Sequence, residues 1–139
     1  MEELILKYLG KAVDVIIDRP KGSAHPDYPD IVYPLNYGYI KDILAPDGEA
    51  QDVYVLGVDE PLVNFTGEVI AAIRRENDVE DKWIVAPPGA CYLDEEIAEA
   101  VHFQERFFDS HVYSRYVLKQ TEDEPKRAAP GAFLVTDEA

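Results

Sequence analysis

Tyr33-Pro34-Leu35-Asn36-Tyr37-Gly38-Tyr39-Ile40 is followed, after six residues, by Asp47-Gly48-Glu49-Ala50-Gln51-Asp52. The first segment is apolar and aromatic and reads as extended chain. Pro46-Asp47-Gly48 marks a turn, because glycine tolerates the backbone angles that tight turns need. Beyond it, residues 52–58 alternate as a strand does. Residues two apart in a strand share a face, so Tyr37 and Tyr39 can point into one cavity. With Asp52 opening a strand and Asp47 in the turn before it, Asp47, Glu49 and Asp52 can converge on the mouth of a barrel. Carboxylates that close repel one another, and a divalent ion relieves the repulsion. Phenol hydroxyls donate hydrogen bonds to phosphate oxygens. Tyrosines beside clustered carboxylates therefore suit a site for hard metal ions and a phosphate-bearing ligand.

Working outward, residues 11–18 read as a strand with Val13, Val15 and Ile17 on one face. Before it, Leu4, Ile5, Tyr8 and Leu9 have helical spacing that stops at Gly10. Residues 19–30 carry three prolines, a glycine and a serine, an irregular exposed connection. Residues 67–73 and 82–86 supply two more short strands, and Pro87-Pro88-Gly89 ends the pattern. Asp94 is the expected N-cap of a helix reaching about residue 109, with Ile97, Ala100, Val101, Gln104 and Phe108 on one face. Short strands and one main helix predict an α+β domain: a small closed antiparallel, OB-like β-barrel packed against that helix. Residues 1–119 form this single domain, and 120–139 read as an acidic tail, mobile or partner-docking.

The 139 residues carry a formal charge of −15, a surface that repels nucleic acid and lacks the basic stripe its binding needs. No apolar run approaches the ~18 residues of a membrane span, and the N-terminus has no signal pattern. A cytoplasmic protein is expected. Cys91 is the single cysteine, so no intrachain disulfide forms, and it is expected to be a small buried residue.

The order and spacing of these motifs resemble the family I (soluble) inorganic pyrophosphatases. These carry a Tyr-Pro-x-Asn-Tyr-Gly-Tyr segment ahead of a carboxylate loop of this spacing. The resemblance covers residues 11 to about 110 and implies the same barrel, Mg²⁺ (with Mn²⁺ an accepted substitute) as cofactor, and pyrophosphate or a similar small phosphoanhydride as substrate. It also implies a homo-oligomer. Tyr33 and Tyr37 match the family positions near metal and phosphate. Asn77-Asp78-Val79-Glu80-Asp81-Lys82 falls where the family has an acidic loop and a phosphate-binding lysine. Lys82 fits that lysine, and Asp78 with Glu80 or Asp81 fits the carboxylates. Asp18 fits an acidic residue in the outer shell of the metal site. On this reading Asp47, Asp52 and one of Glu80 or Asp81 hold Mg²⁺, and Glu49 accepts a proton from the attacking water or orients it.

The chain departs from the family at several points. Only 14 residues separate Asp18 from Tyr33, too few for the hairpin that carries a lysine, a glutamate and an arginine in the family. Arg19, Lys21 and His25 in the shortened segment partly replace that charge, with Arg19 and Lys21 the candidate phosphate ligands. Phe107-Phe108 stand where the family has a Tyr-Lys pair. The alternative to pyrophosphate hydrolysis is thus a relative that binds a phosphate ligand without turnover, or hydrolyses another phosphoanhydride.

Overall fold

A computed structural model describes residues 2–76 and 80–114; Asp78 and the acidic segment 120–139 lie outside them. The elements in order are α1 (Glu2–Tyr8), β1 (Ala12–Arg19), β2 (Asn36–Leu44), β3 (Ala50–Val55), β4 (Asn64–Arg75), β5 (Asp81–Ala86), α2 (Asp94–Glu105) and β6 (Ser110–Ser114). Five strands pair in the ring β1-β2-β3-β5-β4 and back to β1, closing a barrel. Four pairings are antiparallel, while β3 and β5 run parallel with Val53 opposite Trp83 and Val55 opposite Val85. The expected closed barrel is present but mixed rather than wholly antiparallel. The reason is arithmetic: directions cannot alternate all the way round a ring with an odd number of strands.

Each barrel strand sends alternate side chains inward. Val13, Val15 and Ile17 of β1 meet Val53 and Val55 of β3, Val69 of β4, and Trp83 and Val85 of β5 in one core. Ile5 of α1 and Leu9 in the turn after it add to it, and that turn carries Gly10 at φ +82°, a conformation that favours glycine. The intervening residues form a second core on the outside of the wall. There Tyr33, Tyr54, Ile70, Ile73 and Ile84 pack beneath Ile97 and Val101 of α2. Strand β5 is therefore buried on both faces along its whole length.

Helix α2 starts one residue away from the expected cap. Leu93 holds the N-cap position, and Glu96 Oε1 accepts a hydrogen bond from the Leu93 N–H at 2.8 Å. Asp94 is the first helical residue, where with Glu95 and Glu96 it suits the positive end of the helix. The helix stops at Glu105, short of residue 109, because the chain turns through Phe107 and Phe108 into β6. That unexpected strand pairs antiparallel with the second half of β4. Cys91 is exposed rather than buried, since it lies in the loop before α2. No helix among the described residues is long and apolar enough to cross a membrane.

Gly38 is the tightest point of the wall. It pairs with Ile17 on one side and Val53 on the other, and a Cβ there would sit 1.9 Å from the Ile16 carbonyl oxygen. Backbone must move to admit any side chain. Gly38→Ala is expected to lower stability by about 3 kcal/mol, read as a shifted denaturation midpoint. An unshifted midpoint would mean that β1 and β2 do not approach this closely.

Candidate active site

The outward-facing residues of the barrel wall build a cleft of about 650 Å³ at the C-terminal end of α2. Asp52 lies two residues before Tyr54 on β3, and Lys82 two before Ile84 on β5, so both share the face covered by α2. Tyr37 of β2 and Arg75 at the end of β4 complete the floor. The cleft thus lies on the outer wall rather than at the barrel mouth, because the interior is filled by its own valines and Trp83.

A bulge in β1 shapes one side. Ile17 pairs with Gly38 and Arg19 with Tyr37, leaving Asp18 as the extra residue. Neighbours on a regular strand face opposite ways, but a bulge re-aims them. Asp18 and Arg19 accordingly both line the cleft. Asp18 has its carboxyl pushed above the ordinary range by burial, despite Arg19 beside it, and the nearby Asp52 adds to the push.

Lys82 is the centre of the charge pattern. Its Nζ donates to Asp52 Oδ2 at 2.8 Å and to Glu80 Oε2 at 2.9 Å, and its side chain is only 6% exposed. Burial works against its charge, yet Tyr37 and Asp52 hold the ammonium above the usual lysine range. The same burial pushes the Tyr37 phenol up to about 12, so it remains a hydrogen-bond donor at neutral pH.

Arg75 supplies a second buried cation. Its Nε and Nη2 donate to the two oxygens of Glu105 at 3.0 and 2.7 Å, and Nη1 reaches Glu80 Oε1 at 3.3 Å. Its guanidinium stacks 3.7 Å from the Phe108 ring centre. Glu105 also accepts from the Tyr54 hydroxyl at 2.6 Å and from Ser110 Oγ. Gln104 Nε2 donates to the Tyr54 oxygen, and the Tyr33 hydroxyl donates to Gln104 Oε1, both at 2.7 Å. Arg19 donates in turn to the Tyr33 oxygen. One polar network therefore runs from Arg19 under α2 to Arg75, Glu80, Lys82 and Asp52.

Of the residues singled out in the sequence, Asp18, Arg19, Tyr37, Asp52, Glu80 and Lys82 come together in the cleft. Tyr33 is fully buried one layer behind, and its hydroxyl orients Arg19. Asp47 and Glu49 stay in the exposed turn before β3, where Asp47 Oδ1 accepts the Glu49 N–H at 3.0 Å, and neither lines the cleft. Asp81 alternates with Lys82 on β5 and meets Arg74 at 3.7 Å. Lys21 turns toward Asp59, 4.0 Å away. Arg75, Gln104 and Glu105 were not anticipated as site residues. The one signal for them is Gln104, a polar residue on the otherwise apolar face of α2.

Metal fit follows from the same contacts. Among the described residues, no group of three or more His, Cys, Asp or Glu side chains is gathered closely enough to hold an ion. Both oxygens of Glu80 are taken by Arg75 and Lys82. Asp18 and Asp52 line the same cleft, with Asp52 Oδ2 held by Lys82. A Mg²⁺ ion that keeps its waters and arrives with phosphate needs only one or two carboxylates. Asp18 and Asp52 are the carboxylates of the cleft, besides Glu80, that such an ion would meet, and the described residues do not form a cluster that holds an ion by protein alone.

No protein-family model matches the sequence, and no curated protein does. Solved structures do. An inorganic pyrophosphatase of Ehrlichia chaffeensis superposes with a TM-score of 0.60 at 16% identity, over 81% of this chain and 91% of that one. One from Coxiella burnetii gives 0.58 at 19% identity, over 78% and 89%. One from Neisseria gonorrhoeae gives 0.54 at 20%, over 76% and 81%. The chain has the fold of these inorganic pyrophosphatases, a closed mixed five-stranded barrel carrying helices.

Proposed function

We propose that the chain hydrolyses a phosphoanhydride in this cleft, with inorganic pyrophosphate as the simplest substrate. The observation that carries the reading is Lys82, a buried cation on the cleft floor between Asp52 and Glu80 and beside a protonated phenol. The names of the structural neighbours point the same way.

Lys82, Arg75 and Arg19 would take phosphate oxygens, with Lys82 and Arg75 exchanging part of their present ion pairs for the ligand. Tyr37 would donate a further hydrogen bond. Asp18 and Asp52 would hold Mg²⁺, and Mn²⁺ accepts the same oxygens. Such an ion, when bound, lowers the pKa of a water and neutralises the leaving phosphate. The chain's own part is to position: the buried pairs fix Lys82 and Arg75 before the ligand arrives. Catalysis of phosphoryl transfer consists largely of such positioning and charge stabilisation.

Phosphate release from pyrophosphate with Mg²⁺ is the test. Asp52→Asn removes one carboxylate of the metal pair and a partner of Lys82. It is expected to slow release by roughly 10- to 100-fold, the worth of one charge-assisted bond. An unchanged rate would move the reaction away from this cleft. A second reading, ligand binding without turnover, is favoured by the ion pairs that already occupy both oxygens of Glu80. Calorimetric heat on adding pyrophosphate, with no phosphate released, would select it.

A further inference from the structure

One wall of the cleft carries more aromatic and apolar surface than a carbonless anion uses. Residues 20–33, despite their prolines, fold back on themselves. Ala24 bridges Val32, His25 N–H donates to the Ile31 carbonyl at 2.8 Å, and Tyr33 N–H donates to the Ser23 carbonyl at 2.8 Å. This small hairpin sets His25, Tyr28 and Ile31 along the cleft. The His25 and Tyr28 rings lie 5.2 Å apart, and His25 stacks on Tyr33 within 15° of parallel. Phe107 and Phe108, from the turn after α2, line the same cleft. Tyr28 is 63% exposed and Phe107 58%, with Arg106 4.8 Å over the Phe107 ring, so two large rings beside one charged floor keep open surface. Bare aromatic surface gathered beside convergent polar groups marks a ligand site.

From this geometry we infer that the substrate is a phosphoanhydride bearing an aromatic ring system, a nucleoside diphosphate, its base against the Tyr28 or Phe107 ring and its diphosphate on Arg19, Arg75 and Lys82. The inference rests on the phosphoanhydride reading above and deepens it. Size agrees: about 650 Å³ falls in the range of pockets, roughly 300–1,000 Å³, that enclose an organic ligand of drug size. Continuity agrees as well, because Arg75 packs on Phe108 and so joins the cationic floor to the aromatic wall. The reaction balances as hydrolysis. Water adds to the terminal phosphorus, the bond from that phosphorus to the bridging oxygen breaks, and nucleoside monophosphate, phosphate and a proton result.

The probes are ADP and pyrophosphate, each with Mg²⁺, titrated calorimetrically into the full chain and followed for phosphate release. ADP should bind more tightly than pyrophosphate. Tyr28→Ala and Phe107→Ala, both at exposed rings, should each reduce the ratio of ADP to pyrophosphate affinity by roughly 5- to 150-fold, the effect of losing one base-stacking partner. Circular dichroism confirms that the variants are folded. Pyrophosphate binding as tightly as ADP, or a ratio that neither substitution moves, overturns this inference and leaves the phosphoanhydride reading standing. Failure of both ligands to bind and to release phosphate removes the two together.

Discussion

Glu105→Ala is expected to destabilise the fold by about 3–5 kcal/mol, the usual consequence of removing one partner of a buried ion pair. Glu105 is 5% exposed and Arg75 6%, so neither can turn to water for compensation. The substitution leaves the guanidinium without its two-point acceptor and strips the Tyr54 and Ser110 hydroxyls of theirs. Urea denaturation measures the loss; a value below about 1 kcal/mol would mean the pair is solvated in solution. The effect has a pH signature. Burial alone would raise the Glu105 carboxyl, but hydrogen bonds from Arg75, Ser110 and Tyr54 hold it below its ordinary value of 4.5. Its stabilisation is fully present above that value and is lost as pH falls through the lower folded one. The wild type should therefore lose stability on acidification below about pH 4.5, and Glu105→Ala should lack that part of the slope. Replacing both partners, Arg75→Met with Glu105→Leu, should recover much of the loss, because two apolar groups leave no stranded charge.

The barrel was legible where a strand's burial pattern shows in its own residues. Val13, Val15 and Ile17 announce β1 because they recur at every second position, with Asp14 and the less buried Ile16 between them, and the apolar run from Trp83 to Ala86 announces a strand buried on both faces. Closure by a parallel pair was not legible, since it depends on how many strands join the ring and not on any one of them. Strand β6 was missed because Phe107 and Phe108 prolong the apolar pattern of α2 beyond its true end. At the site, Asp52, Lys82 and Tyr37 emerge from the order of motifs, and strand alternation then puts them on one face. The β1 bulge is a property of pairing with β2, so nothing in Asp18-Arg19 signals that both side chains enter the cleft. Arg75 reads locally as a solvated charge at a strand end. Its partner Glu105 lies 30 residues away on another element, and a pairing of that kind has no period to detect. Asp47 and Glu49 mislead for the opposite reason: the motif is local, but an Asx turn satisfies it without a cleft.

Lys82→Met should reduce phosphate release by roughly 10²- to 10⁴-fold, more than any other single change in the cleft. The estimate takes two charge-assisted bonds to ligand oxygens at ~1.5–3 kcal/mol each. Methionine keeps the apolar stem that packs beside Ile84 but removes the ammonium. Asp52 then loses its ion-pair partner and Glu80 keeps Arg75, in a protein whose formal charge is already −15. An incoming anion meets repulsion where it met a cation, so KM should rise while kcat falls. Stability should fall less steeply than activity, because Asp52 is 33% exposed and water replaces part of what Lys82 supplied. Lys82→Arg restores the charge with a different shape and should recover part of the rate. Tyr37 and Asp52 hold the Lys82 charge above the ordinary lysine value of 10.5. Its pairing is complete below that value and is lost only as pH rises through the higher folded one, so the wild type should show no alkaline loss from this group below about pH 10. If Lys82→Met releases phosphate within about threefold of wild type while remaining folded, the anion is held by other groups. The cationic floor would then serve the packing of α2 on the barrel rather than a reaction.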